Sequence, residues 1–338
     1  MKPIVVWFNH WFSTAFHIIE LIKRECRYDI HVIGSNRNPD SVVQLACDEW
    51  HTEPDTMSDE EYLEFCVGFC KEHHVEVFVP RRGMSIISSN SGRFREMGVK
   101  LLLDHDSEMI DILKNKISTY RRFENLIPEC IPMYFEVSCK EEFLEAYEKI
   151  TACHERACLK FADDEGASSF RVVDNSLQGK TALYTAPGMK ITFDKAVEIM
   201  EDYDFARRLI VMPYLKGVEV SADCLDTKQG KIIIPRFKEN GRIYTIRYDE
   251  DIVEYCRRIM ENTGLEMPCN IQFKYNDSKP YLLEVNTRMS GGIQLSCIGA
   301  GVNIPQLAFY KIMGHDPEWS MIRQERKVSY IESPVNIP

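Results

Sequence analysis

The first hundred residues alternate short β-branched runs with amphipathic segments, and this alternation constrains the fold more than any other feature of the chain. IVVWFN (4–9), DIHVIG (29–34), EVFVP (76–80) and VKLLLD (99–104) read as strands. Between them, 14–23, 60–73 and 86–97 carry apolar residues at helical spacing. Strands that alternate with helices call for a parallel sheet covered on both faces. The first strand runs into NHWFST, which has no glycine. A dinucleotide fingerprint needs glycines there so that backbone can approach a pyrophosphate. A nicotinamide-dependent oxidoreductase is therefore disfavoured.

The pattern changes after residue 105. A long helix is expected over 107–125, and the two prolines of NLIPECIP end it. A strand at 133–137, a helix at 140–151 and the strand ACLKF (157–161) follow, then the loop ADDEGASS and the strand FRVVD. From residue 209 strands dominate: LIVMPYL, VEVSADCL and KIIIPRFK, then a helix at 249–263. NIQFKY and YLLEVN are joined by a short NDSK turn, and a last helix starts near Pro305, whose fixed φ suits a first turn. The expected fold class is α/β and α+β. A Rossmann-like parallel sheet occupies 1–105 and a two-part unit occupies 106–315, divided at about 128–205 and 206–315. A tail covers 316–338.

Acidic residues number 52 against 41 basic ones, a net charge of −11. Nucleic acid is not an expected partner, because phosphate neutralisation needs a cationic face. No run approaches 18 apolar residues and no export signal stands at the start, so neither a membrane span nor secretion is expected. The 12 cysteines form no CxxC pair and read as reduced thiols of a cytoplasmic protein. Cys66 and Cys70 precede His73 and His74, which raises a zinc site. The favoured reading is the buried stripe of an amphipathic helix, since structural zinc shows tighter paired spacings.

The stretch NIQFKYNDSKPYLLEVNTR (270–288) carries the chemistry. Two strands flanking a polar turn make a hairpin. Centred on Ser278, it would set Gln272 opposite Glu284, with Asn286 on the same face. Two amide oxygens and a carboxylate are hard donors of the kind Mg²⁺ takes while keeping phosphates and waters. Arg288, just beyond, suits a phosphate oxygen. From geometry alone, an ordinary solvated hairpin face explains the same residues equally well.

The composite Q-x11-E-x-N-x-R, followed by MSGG (289–292) and GAGVNIP (299–305), resembles the metal-binding end of the ATP-grasp superfamily. The likeness is to its carbamoyl-phosphate-synthase large-chain-like branch, and the chain reads as a stand-alone relative. The resemblance implies metal ligands at Gln272, Glu284 and Asn286. LIVMPYLKGVEVSADC resembles the family's hinge, which implies adenine contacts at Met212, Tyr214 and Leu215 and ribose contact at Glu219. Met212 stands where many members carry a glutamate. Lys116, in LKNKIST, and Lys160, at the end of ACLKF, resemble the two phosphate lysines. Gly166, Ser168 and Ser169 fall in the phosphate loop, which here is glycine-poor and carries Asp163, Asp164 and Glu165.

The resemblance implies an enzyme that uses ATP and two Mg²⁺ (or Mn²⁺) ions to turn a carboxylate into an acyl phosphate. An amine or similar nucleophile then attacks, and ADP and phosphate leave. Lys160, Glu284 and Arg288 are the expected catalytic residues, and a homodimer is compatible with the family. A kinase on the same fold and a non-catalytic ATP-binding protein are the competing readings. Arg81 and Arg82 sit at the carboxyl end of EVFVP, where open α/β sheets bind ligands. They are candidates for an anionic acceptor, with Ser85, Ser88 and Ser89 as further donors. Arg236 and Arg288 are the alternative substrate residues.

Overall fold

The computed structural model describes residues 2–55, 57–177 and 188–337; the expected lid residues 178–187 lie outside these. By packing, the chain divides into two units. The first comprises Met1–Asp111, Glu219–Gln272 and Val285–Pro338, the second Ile112–Val218 and Phe273–Glu284.

The first sheet holds β1 (Ile4–Asn9), β2 (Ile30–Asn36), β3 (Glu49–Thr52), β4 (Val77–Val79) and β5 (Lys100–Leu101). Its order is β3-β2-β1-β4-β5, and every pair is parallel. This is the doubly wound sheet that the alternation calls for. Successive side chains of β1 leave on opposite faces. Val6 and Phe8 join a core with α1 (Ala15–Lys23), while Val5 and Trp7 join one with α2 (Asp59–Glu72). Trp7 stacks on Phe69 at 4.3 Å and on Phe78 at 4.1 Å between ring centroids. Cys66 and Cys70 are buried in that second core, as the amphipathic reading expects.

Two expected helices are each broken in two. The segment 86–97 forms α3 (Met84–Ser89) and α4 (Ser91–Glu96), parted at Asn90. The segment 107–125 forms α5 (Ser107–Lys114) and α6 (Lys116–Phe123). Asn115 stands between the latter in extended conformation and accepts from the amides of Ile117 and Ser118, capping α6. Helical periodicity runs unbroken through such a cap, which is why the break is not visible in the spacing.

The second sheet holds β6 (Phe135–Val137), β7 (Ala157–Phe161), β8 (Arg171–Val173), β9 (Lys190–Ile191) and β10 (Leu209–Pro213). Its order is β6-β10-β7-β8-β9. α7 (Lys140–Cys153) and α8 (Phe193–Asp202) cover one face through Phe143, Ile150 and Met200. On the other face Met212 pairs with Cys158 and Ile210 with Lys160.

The third sheet holds β11 (Glu219–Thr227), β12 (Gly230–Lys238), β13 (Ile243–Ile246), β14 (Cys269–Asn276), β15 (Lys279–Asn286) and β16 (Arg326–Ser329). Its order is β15-β14-β11-β12-β13-β16. α9 (Glu250–Thr263) is capped by Asp249, whose carboxylate accepts from Ile252 N, and ends at Gly264 with φ +67°. α10 (Ile293–Ala300) and α11 (Ile304–Ile312) follow, with Pro305 in the first turn of α11. Within the tail, β16 pairs antiparallel with β13. The hairpin turn is the pair Asp277–Ser278, with Asp277 at φ +55°. Its centre falls between those residues rather than on Ser278, so the turn does not by itself set Gln272 opposite Glu284.

Candidate active site

In the second unit, Lys116 of α6 pairs with the acid of β15, and Lys160 of β7 lies close by. Lys116 and Tyr120 are four apart on α6 and share one face. Lys116 Nζ lies 2.6 Å from Glu284 Oε2, and the buried Tyr120 hydroxyl donates to the Leu283 carbonyl at 3.1 Å. The Lys116 amide bonds the Ala162 carbonyl at 2.8 Å, which pins the start of α6 to the end of β7. Lys160 is 7 % exposed, and burial, then the neighbouring Lys116 ammonium, pulls its pKa from 10.5 to about 8. A buried lysine that keeps a second ammonium close is poised for an anion.

The loop after β7 folds onto that lysine. Lys160 Nζ donates to the carbonyls of Asp164 at 3.0 Å and Gly166 at 2.6 Å. Gly166 takes φ +62°, in the left-handed region that favours glycine. Two of the loop acids have side-chain partners of their own. Asp163 pairs outward with Arg207 at 2.6 Å, and Asp164 accepts from the amide and hydroxyl of Ser169. Ser169 also accepts from Phe161 N, so its amide and hydroxyl stitch the loop. The Ser168 side chain is exposed, and its carbonyl accepts from Arg171.

The same sheet face carries an apolar cluster of Cys158, Val172, Met212 and Leu215, edged by Tyr134, Phe170, Tyr214, Tyr281 and Leu283. The Tyr214 amide donates to the Arg156 carbonyl, and the Arg156 guanidinium lies 5.3 Å from the Tyr214 ring centroid. The Leu215 amide has no backbone partner among the described residues. Gly217 donates to the Tyr275 carbonyl at 2.9 Å, and a Cβ on it would come within 2.5 Å of that oxygen. Only glycine allows this approach.

In the first unit, Glu219 opens β11, with its carboxylate 3.9 Å from Lys238 Nζ. Gln272 donates Nε2 to Asn270 Oδ1 at 3.0 Å. Asn270 belongs to a buried polar network that spacing alone did not reveal. It donates to Ser221 at 2.9 Å and to Asp223 at 2.9 Å, and Ser296 donates to Asp223 at 2.6 Å. Arg236, expected as a substrate residue, is buried within this network. It donates to Ser296, Ser221 and Ser290 and lies 3.5 Å from Asp223. A Cβ on Gly292 would come within 2.6 Å of the guanidinium, so Arg236 underlies the MSGG loop. The hint in sequence was the even-numbered polar pair Asn270 and Gln272.

Asn286 ends β15, and two residues on Arg288 donates to the Met289 carbonyl at 3.3 Å. The Arg288 guanidinium lies 5.3 Å from the Phe12 ring centroid, and that of Arg81 lies 6.0 Å from the same ring. Two of the four expected substrate arginines therefore flank one aromatic. Arg82 instead stacks over Tyr62 at 4.0 Å and lies 3.6 Å from the buried Glu53. Asn9 joins the loops that follow β1 and β4: its Oδ1 accepts from Arg81 N, and its Nδ2 donates to Tyr62 and to the Arg82 carbonyl. Glu53, which no motif marked, also accepts from Ser35 and Tyr62 and faces His10 at 3.7 Å. Burial holds the His10 pKa below its usual value. The expected serine donors are engaged elsewhere: Ser85 bonds Asp111, Ser88 the Asp104 carbonyl and Ser89 the Ile86 carbonyl.

Residues 205–334 match a family model described as ATP-grasp in the biosynthetic pathway with Ter operon. No curated protein matches the sequence. Solved structures share the fold at low identity. One is the biotin carboxylase domain of the Hydrogenobacter thermophilus 2-oxoglutarate carboxylase, in complex with MgADP, ADP and bicarbonate. It matches at TM-score 0.65 and 14% identity over 95% of this chain and 72% of that one. N5-carboxyaminoimidazole synthetase from Staphylococcus aureus with ADP matches at 0.67 and 10%, over 97% and 82%. The L-amino acid ligase from Bacillus licheniformis matches at 0.65 and 12%, over 93% and 75%. No helix among the described residues is long and apolar enough to cross a membrane. Residues 205–334 thus resemble an ATP-grasp family, and the chain shares the fold of these structures.

Proposed function

We propose that the chain is an ATP- and Mg²⁺-dependent ligase that activates a carboxylate as an acyl phosphate and joins it to an amine, releasing ADP and phosphate. The observation that carries this reading is the trio of Lys116, Lys160 and Glu284. Lys116 pairs with Glu284 at 2.6 Å, and the nearby buried Lys160 has a lowered pKa. In this reading the ATP phosphates replace the Asp164 and Gly166 carbonyls on Lys160. The loop of Gly166, Ser168 and Ser169 closes over them. The Met212 cluster receives the adenine, the Leu215 amide its edge, and Glu219 the ribose.

The carboxylate of Glu284 suits a hard divalent ion, and the amide oxygens of Gln272 and Asn286 are donors of the same class. Glu284 already holds a cation, the Lys116 ammonium. Bound Mg²⁺ would neutralise the β- and γ-phosphate oxygens. Arg288 and Arg81 hold the acceptor carboxylate against Phe12, and guanidinium forks suit that geometry. Arg288 also faces the charge that develops on the acyl carbon's oxygen when the nucleophile attacks. The neighbouring structures support this reading by the ligands they hold: MgADP with bicarbonate in one, ADP in another.

Incubation with ATP, Mg²⁺, a panel of carboxylates and hydroxylamine tests the proposal. Hydroxamate formed together with ADP marks an acyl phosphate. A stable phosphorylated product assigns the chain to the kinases instead, and absence of ADP release across the panel counts against catalysis.

A further inference from the structure

A second cluster of metal-ligating side chains lies in the first unit, on the edge strand of the parallel sheet. Glu49 and His51 are two apart on β3 and so project from one face. His73 is the C-cap residue of α2. One ligand atom from each of these three side chains lies within 4.8 Å of the others. Glu49 Oε2 is 3.6 Å from His51 Nε2. Two ligand atoms on an ion at about 2.0–2.2 Å stand about 3.3–3.6 Å apart in a tetrahedral set, so only small rotations close the shell.

The donors are also oriented, as ligands are when outer contacts hold them. Glu49 Oε1 lies 2.8 Å from His31 Nε2, on the neighbouring strand. Phe69, one turn before His73 on α2, stacks on the His73 ring at 4.2 Å and meets the His51 ring edge-on at 5.2 Å. The two imidazoles lie 4.6 Å apart between centroids.

We propose that Glu49, His51 and His73 form a binding site for a borderline divalent transition-metal ion of the Zn²⁺ class, which ties the edge strand β3 to the end of α2. Two imidazoles and one carboxylate suit Zn²⁺, Co²⁺ or Ni²⁺, whereas Mg²⁺ prefers an all-oxygen shell. The site is thus chemically separate from the oxygen set of Gln272, Glu284 and Asn286. It shares no residue with the proposed ligase chemistry and stands or falls apart from it. His31 acts as a positioning residue through the Glu49 carboxylate.

The test is Zn²⁺ titration by calorimetry of the chelator-stripped full chain in millimolar Mg²⁺, with Co²⁺ absorption as a second readout of geometry. One ion per chain is expected, together with a rise in melting temperature on adding Zn²⁺. His51→Ala and His73→Ala should each lose at least tenfold in affinity and most of the thermal shift, and His31→Ala should lose less. Cys153→Ser, which removes an exposed thiol, and Glu284→Gln should bind Zn²⁺ like wild type. If either alanine variant misfolds, Glu49→Gln and His51→Gln supply the same comparison. Unchanged Zn²⁺ affinity in the His51 and His73 variants, or no binding below 100 micromolar, overturns the site.

Discussion

Lys160 shows how one residue's surroundings set its chemistry. Its pKa lies lower in the folded chain, about 8, than its ordinary 10.5. Between those values the unfolded state binds the extra proton, so this group's destabilising burial is felt below pH 8 and relieved as pH rises. ATP binding should show the opposite trend. Above pH 8 the free enzyme loses the ammonium, and affinity should fall by up to tenfold per pH unit. Lys160→Arg stays charged and should flatten that profile. Calorimetric titrations at pH 7, 8 and 9 compare the two, and equal declines would remove Lys160 from the phosphate site. Glu284→Gln leaves the Lys116 ammonium without its acid. Turnover should fall by on the order of 10²–10³, while ATP binding without Mg²⁺ persists. Activity within a few-fold of wild type would falsify its role.

At the scale of elements, the break between α5 and α6 matters most. Asn115 caps α6, and Lys116 stands directly behind the cap. Asn115→Ala should cost about 1 kcal/mol of stability and weaken ATP binding by loosening Lys116, measured by denaturation and calorimetry on one sample. Loss of stability with unchanged ATP affinity would separate the cap from the site. The network beneath the MSGG loop makes a second case. Arg236→Ala leaves Asp223 buried without its cation, a change that costs about 3–5 kcal/mol in comparable pairs. Chemical denaturation reads this directly. Unchanged stability with a raised acceptor KM would return Arg236 to the substrate residues.

At the scale of the molecule, the chain passes from one unit to the other at residues 111–112, 218–219, 272–273 and 284–285. Lys116 and Lys160 belong to the second unit, and the Phe12 arginines to the first. The two halves of the reaction should therefore respond separately to mutation. Arg81→Ala should raise the KM for the carboxylate at least tenfold and leave ATP affinity unchanged, as read by ADP release against each substrate. A shift in ATP affinity of equal size would place Arg81 elsewhere.

The sequence by itself determined whatever local spacing encodes. Alternating periods gave the parallel sheet of β1 to β5, and the spacing Q-x11-E-x-N-x-R with the lysines of α6 and β7 singled out the residues proposed for the chemistry. Such signals survive in one dimension because period and motif depend on neighbours along the chain. Which charge meets which was decided only by the fold. Arg236 and Arg288 look alike in sequence, yet one is sunk among Asp223 and three serines while the other lies against Phe12. Glu53, Phe12 and the Glu49–His51–His73 cluster carried no motif, because their partners stand far away in the chain. Pairing energies depend on distance and burial, and both are fixed only when strands and helices close around a common core.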